Sequence, residues 1–235
     1  SNSLIYNRLR KGKIDKRMLS SLGFGNEQVF QQVLVDQFTP GFIHISVDAS
    51  GSMSGDKWSS SMTSSIAIAK AASMVQNLDV VISFRSTEEI AGTETPAIFI
   101  AYDSRKDKIN KIKQLFKYIH CPGVTPEGLC FEAIQHLIVE GGNTADSYFI
   151  NFSDGEPYFE NKNIMYYGPT AYSHTKKQIE NMKARGIKVL SFFISGNYSS
   201  NIENFQKMYG KDAQNVQVTK LMDLAKSINK RFATK

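Results

Sequence analysis

The chain has 235 residues and a mass of 26.3 kDa, just under the roughly 250–300 residues at which one hydrophobic core stops growing, which predicts a single main domain. Hydrophobic residues make up 41% and charged residues 21%, which excludes a disordered, collagen-like or disulfide-scaffold chain. The net charge of +6 is unevenly placed: residues 1–17 contribute +5 and residues 220–235 contribute +4, so residues 18–219 carry −3. A basic excess at the termini, rather than across a folded face, ranks nucleic acid behind protein as a partner. No apolar stretch approaches the roughly 20 residues that span a bilayer, and no leader pattern opens the chain, so neither membrane insertion nor export is expected. Cys121 and Cys130 lack CxxC spacing and are too few for a disulfide framework, which points to a reducing compartment and a cytoplasmic location.

In chain order, residues 1–40 form a basic N-terminal extension, read as an edge-packed segment or a linker, and residues 41–235 form the folded domain. Apolar, β-rich runs bounded by turn residues predict six strands, at about 42–47, 80–84, 97–101, 148–153, 188–194 and 215–218. Helical patterns lie between them, at 57–77, 107–119, 127–139, 172–185, 200–209 and 220–232. In the first, Trp58, Met62, Ile66, Ala69 and Ser73 form the expected buried stripe. Near-continuous apolar strands alternating with amphipathic helices predict a doubly wound, Rossmann-like α/β domain with helices on both faces of a mostly parallel sheet. Residues 85–96, RSTEEIAGTETP, leave no room for a crossover helix, so the second and third strands pair antiparallel and make one antiparallel edge. Two helices separate the third and fourth strands, divided by the loop running from His120 to Pro126, with Pro126 suited to a first helical position.

The chemistry collects at strand ends. Directly after the first core strand comes Asp48-Ala49-Ser50-Gly51-Ser52, whose spacing lets a turning backbone aim one carboxylate and two hydroxyls at a common centre. These are hard oxygen donors of the kind Mg²⁺ takes in octahedral geometry. Taken alone, the same residues fit an Asx-type turn capping the helix near Asp56 equally well. Asp154 follows the fourth strand in Ser153-Asp154-Gly155-Glu156-Pro157, and Thr125 offers another hydroxyl from the inter-helix loop. In an open α/β sheet, ligands gather at the carboxyl ends of the strands where the winding reverses. The metal reading therefore draws its strength from three separate segments.

These residues resemble the von Willebrand factor type A (VWA) family, whose metal-ion-dependent adhesion site (MIDAS) is built from Asp-x-Ser-x-Ser, a loop Thr and a loop Asp. The resemblance spans about residues 40–232 and implies that Asp48, Ser50, Ser52, Thr125 and Asp154 hold Mg²⁺ or Mn²⁺. It also implies that a partner's acidic residue completes the metal's shell. Within that family, Gly12-Lys13-Ile14-Asp15, Thr125-Pro126-Glu127-Gly128 and Ser153-Asp154-Gly155-Glu156-Pro157 look most like the CobT-type cobaltochelatase subunit and its nitric-oxide-reductase-accessory relatives. Those proteins resemble one another in working beside a MoxR-type AAA+ ATPase, which implies the same class of partner here. Ser54 departs from the basic residue common at its position, and no long acidic region precedes the domain in this sequence.

Around this centre, Glu127 is expected as a first-turn helix charge and Glu156 as a solvated or second-layer carboxylate, neither as a metal ligand, and Tyr158, Phe159, Tyr166 and Tyr167 either anchor a partner or pack their own loop. The segment from Gly51 to Lys57 lacks Walker A spacing, and Ser50 stands where a haloacid-dehalogenase-like phosphatase places its second Asp. His44, His120, His136 and His174 are scattered without zinc-site spacing, and no serine carries a nucleophile elbow. A metal-assisted hydrolase lacks a general base with a defined orienter, and an RNA-binding role of the Ro type needs a helical-repeat partner domain. The leading reading is a non-enzymatic, metal-dependent protein-binding domain, with RNA binding of the Ro type as the alternative.

Overall fold

The computed structural model describes residues 3–9, 13–14, 30–35, 41–75, 77–115, 120–121, 123–141, 146–195 and 202–233. The chain divides into two compact units, Ser1–Thr39 and Pro40–Lys235. In the first, β1 (Ser3–Leu9), β2 (Lys13–Ile14) and β3 (Phe30–Val35) form a small antiparallel sheet in the order β1-β3-β2. This basic segment thus carries paired strands, which its weak apolar alternation did not announce.

The second unit is built on six strands: β4 (Gly41–Asp48), β5 (Leu78–Ile90), β6 (Thr93–Asp103), β7 (Asp146–Ser153), β10 (Lys188–Ser195) and β11 (Gln214–Gln217). Their order is β11-β10-β7-β4-β5-β6, with only β6 antiparallel to its neighbour. The polar run 85–96 does not leave the sheet as a loop. It continues the β5–β6 ladder from Arg85↔Ile98 to Ile90↔Thr93 and turns at Ala91 and Gly92, both with positive φ as a tight hairpin demands. Ladder hydrogen bonds need no apolar side chains, so the strands outrun their hydrophobic signal.

Among the described residues, five helices connect the strands and a sixth follows the last: α1 (Asp56–Ala72), α2 (Asn110–Leu115), α3 (Glu127–Gly141), α4 (Gly168–Ala184), α5 (Ile202–Tyr209) and α6 (Leu221–Ala233). α4 begins four residues before its predicted start because Pro169 is suited to a first helical turn. Residues 116–119 of the predicted second helix and 200–201 of the fifth lie outside the described residues. The period-2 alternation of β4 sends Ile43, Ile45 and Val47 into one core, shared with Met62, Ile68, Leu221 and Ile228. On the opposite face Phe42 joins Phe131, Ile134, Ile179, Met182 and Phe205.

The buried face of α1 differs from the predicted stripe. Ser61, Met62, Ser64, Ser65, Ile68, Ala69 and Ala72 are buried, while Trp58 and Ile66 are half-buried and Ser73 is exposed. The reason is polar satisfaction: Ser61 Oγ donates to the Lys57 carbonyl at 2.7 Å and Ser65 Oγ to the Ser61 carbonyl at 2.7 Å, so these serines enter the core with their hydroxyls bonded.

The winding reverses between β4 and β7. From β4 the chain moves outward to β5 and β6, and from β7 it moves the other way to β10 and β11. The carboxyl ends of β4 and β7 therefore lie side by side and define the one crevice where such a sheet gathers ligands.

Candidate metal centre

β4 ends on Asp48 and β7 on Ser153, one residue before Asp154. Asp48 Oδ1 accepts the Ser50 N–H at 2.8 Å, and Ser153 Oγ lies 3.4 Å from Oδ2. The Asx turn is thus real, but it does not cap α1, whose N-cap is Gly55 without a side-chain cap bond. A 3₁₀ turn over Gly51–Met53 then brings Ser52 back toward β7. Ser50 Oγ lies 3.1 Å from Ser52 Oγ, which donates to Asp154 Oδ1 at 2.7 Å. Asp154 Oδ2 pairs with the ammonium of Lys57, from the first turn of α1. Asp48, Ser50, Ser52 and Asp154 therefore meet in one hydrogen-bonded group. The loop leading to Thr125 joins them through its backbone, with Gly51 N–H donating to the Gly123 carbonyl at 3.2 Å, and Thr125 itself is buried.

Beneath this group lies a residue that the sequence reading missed. Arg85, on β5 beside Asp48, is fully buried and donates through Nε and Nη2 to both Glu127 carboxylate oxygens, at 2.7 and 2.9 Å. Nη1 reaches Ser46 Oγ at 2.9 Å and Nη2 the Phe152 carbonyl at 3.0 Å, while the guanidinium packs 5.1 Å from the Phe131 ring centroid. Ser46 is two residues before Asp48, Phe152 two before Asp154, and Glu127 two after Thr125. One planar cation thereby fixes all three segments that carry the oxygen donors. Burial opposes its charge, but Glu127 and Asp48 outweigh that and raise its pKa. Tyr209, at the end of α5, also donates to Glu127 Oε1; burial and then the Glu127 charge push the Tyr209 hydroxyl well above its usual range. Asp48 is pushed up to about 7, by burial first and then by Glu127 and Asp154, against Arg85 and the Ser50 N–H. Negative charge is costly at this point, which is where a cation is stabilising.

Each residue of Thr125-Pro126-Glu127-Gly128 has a physical assignment. Thr125 carries the loop hydroxyl, and Pro126 precedes the first turn of α3. Glu127, expected at a helix start near the site, is instead fully buried as the counter-charge of Arg85. A Cβ on Gly128 would stand 2.4 Å from Tyr166 Oη and 2.9 Å from Thr175 Cα, so glycine is needed for α4 to approach α3.

The remaining predicted residues separate. Glu156 is exposed and bonded by Tyr172 and by Asn204 Nδ2, the latter at 2.8 Å, which hold its carboxyl below the usual range. Phe159 and Tyr166 lie in β8 (Phe159–Glu160) and β9 (Met165–Tyr166) and are buried. Tyr158 and Tyr167 are 46% and 42% exposed and stack at 5.8 Å, so these two alone of the four present aromatic surface. Tyr158 adjoins the site directly, its N–H donating to the Thr125 carbonyl at 2.9 Å. Gly123 also lines a hollow of about 340 Å³ with Thr87, Glu88, Glu89 and Glu94.

No three His, Cys, Asp or Glu side chains among the described residues cluster to hold a metal, so a cation at the strand ends depends on hydroxyls as much as on carboxylates. The donor set fits a small, hard ion. Adjacent oxygens around an octahedral Mg²⁺, with bonds of about 2.1 Å, stand about 3 Å apart. Ser50 Oγ, Ser52 Oγ and Asp154 Oδ1 already keep spacings of 3.1 and 2.7 Å.

No protein-family profile matches the sequence, and no curated protein matches it. Solved structures do. The pilus adhesin SpaC of Lactobacillus rhamnosus GG, in its open conformation, aligns at a TM-score of 0.60 and 14% identity over 84% of this chain and 31% of its own. This chain thus spans about a third of SpaC. The vWF domain of the type V pili tip protein Mfa5 of Porphyromonas gingivalis aligns at 0.61 and 9% identity, covering 83% of this chain and 96% of that one. The manganese-loaded TRAP protein of Plasmodium vivax aligns at 0.55 and 14% identity, covering 80% and 73%. At such identities the likeness is one of fold. The six-stranded sheet with its single antiparallel edge and its two helical layers is a von Willebrand factor type A fold.

Proposed function

We propose that this chain is a divalent-metal-dependent protein-binding domain. Asp48, Ser50, Ser52, Thr125 and Asp154 form a MIDAS for Mg²⁺ or Mn²⁺, and an Asp or Glu of a partner protein completes the metal's shell. The observation that carries this reading is the convergence of two hydroxyls and two carboxylates on the adjacent ends of β4 and β7, with Ser50 Oγ, Ser52 Oγ and Asp154 Oδ1 at octahedral spacing. A bound metal supplies Lewis acidity toward an oxygen ligand, and neutral hydroxyls leave that acidity largely unspent. Tyr158 and Tyr167, exposed beside Thr125, supply apolar contact around the charged one. The manganese carried by the TRAP protein of the same fold supports the choice of ion.

We place the chain with the CobT-type subunits and assign it a MoxR-type AAA+ ATPase as partner, on the strength of Thr125-Pro126-Glu127-Gly128 and the segment from Ser153 to Pro157. Cys121 and Cys130 are both free, and we assign the chain to a reducing cytoplasm on that count. No helix among the described residues is long and apolar enough to cross a membrane. The acidic hollow beside the Thr125 loop favours a protein partner over RNA, since Glu88, Glu89 and Glu94 repel phosphate. The test is affinity capture from the native host with Mg²⁺ or with EDTA. The reading expects an AAA+ protein to be recovered in Mg²⁺ and lost in EDTA and on Asp154→Ala. Recovery of the same partners in EDTA overturns the metal bridge, and capture without any AAA+ protein overturns the partner.

A further inference from the structure

We propose that Lys57 is a built-in cation of the metal centre, one that competes with the divalent ion for Asp154 and leaves the loaded site with a net positive charge. The inference rests on the metal reading above and concerns a residue which that reading does not use. Lys57 sits in the first turn of α1, directly after the turn that carries Ser50 and Ser52, and its ammonium pairs with Asp154 Oδ2. Its side chain is 25% exposed, whereas that of Asp154 is fully buried. Asp154 is therefore shielded from water, with Oδ1 taken by Ser52 and Oδ2 by Lys57.

The charges decide the consequence. In formal charges, Asp48 and Asp154 contribute −2, Arg85 and Glu127 cancel, and Lys57 contributes +1, so the group carries −1. A divalent cation turns this into +1, and a single carboxylate brings it to zero. Without Lys57 the loaded site is already neutral and holds no excess charge to attract an acidic residue. Lys57 thus lowers the affinity for the metal in order to keep the metal electrophilic, and it matches the site to one monovalent oxyanion. Its ammonium is held against Asp154 in a partly buried position, where its field on the ion is only weakly screened.

The test is calorimetric titration of Mg²⁺ and Mn²⁺ into the full chain and three variants, with circular dichroism to confirm folding. Lys57→Met is expected to bind both ions about tenfold more tightly, equivalent to about 1.4 kcal/mol. Lys57→Arg keeps the charge and is expected to stay within about threefold of wild type. Lys70→Met removes an exposed lysine from the last turn of the same helix and is expected to change affinity less than twofold. Equal or weaker metal binding by Lys57→Met overturns the proposal, as does a tightening by Lys70→Met of the same size, which would reflect net charge alone. If wild type binds metal and Lys57→Met is unchanged, the role of Lys57 falls and the metal site stands. If no folded form binds metal, both fall together.

Discussion

Replacing Arg85 by methionine removes the cation that ties the three segments of the metal centre together, and the structure sets the size of the effect. Among the described residues, the variant leaves the fully buried Glu127 carboxylate with the Tyr209 hydroxyl as its one remaining donor, and it strips partners from Ser46 Oγ and the Phe152 carbonyl. Breaking a buried ion pair from one side costs about 3–5 kcal/mol, because the remaining charge is uncompensated. For a domain of this size that corresponds to a fall in melting temperature of roughly 6–20 °C. Arg85→Met/Glu127→Leu removes the orphaned charge as well. Since an apolar replacement of a whole buried pair is often neutral, the double variant should recover most of the lost stability. It should not recover metal binding, because the tether two residues from Asp48, Asp154 and Thr125 is gone; a loss of about 10–100-fold is the usual consequence of removing support around metal ligands. Urea denaturation of the three proteins, paired with calorimetric Mn²⁺ titration of the folded ones, measures both. A single-variant cost below about 1 kcal/mol, or full metal affinity in the double variant, refutes the argument that Arg85 organises the site.

Three further outcomes are expected. His44 is buried on β4, bonded to Ser83 Oγ of β5 at 2.7 Å, and its pKa is lowered to about 3 by burial first and by Arg105 and Arg85. Between pH 6.5 and 3 the unfolded chain therefore binds a proton that the folded one does not, and stability is lost as the pH drops, at about 1.4 kcal/mol per unit. By pH 5 wild type should have lost roughly 2 kcal/mol more than His44→Asn, measured by urea denaturation. Taking the difference removes Asp48, whose raised pKa acts in the opposite sense; equal acid sensitivity would refute the assignment. Gly128→Ala should cost about 1–3 kcal/mol by forcing α3 and α4 apart, and an unchanged melting temperature would contradict the close approach. Thr125→Ala should weaken binding of an acidic partner by more than it weakens metal affinity, since Thr125 sits on a separate loop; equal losses in the two titrations would count against this.

The strands of the main sheet were legible because each combines an apolar run with turn residues at its ends, and β4 and β7 also carry chemistry just past their last residue. The hairpin β5–β6 was legible only in part. Its outer half, from Glu88 to Glu94, is held by backbone bonds and leaves little hydrophobic trace. Arg85 was hidden for that reason: it opens a polar run, and only after the strand is extended does it fall in register with Val81 and Ser83 on the covered face. Glu127 was placed near the site but not inside the protein, because a glutamate in the first turn of a helix ordinarily faces water. Lys57 looked like an ordinary helix-start residue, since nothing local says that a chain segment nearly a hundred residues away brings Asp154 to it. The buried face of α1 was misread because serines count as polar in a periodicity, although a hydroxyl bonded to its own helix buries at little cost.

The central claim, that the ends of β4 and β7 hold one divalent metal through Asp48, Ser50, Ser52, Thr125 and Asp154, is tested most directly by isothermal titration of Mg²⁺ and Mn²⁺ into metal-stripped protein, beside Asp48→Ala. The account predicts one ion per chain for wild type and none for Asp48→Ala, with the two proteins giving the same far-ultraviolet circular dichroism. A folded wild type that takes up no divalent ion, or an Asp48→Ala variant that binds as tightly as wild type, contradicts it.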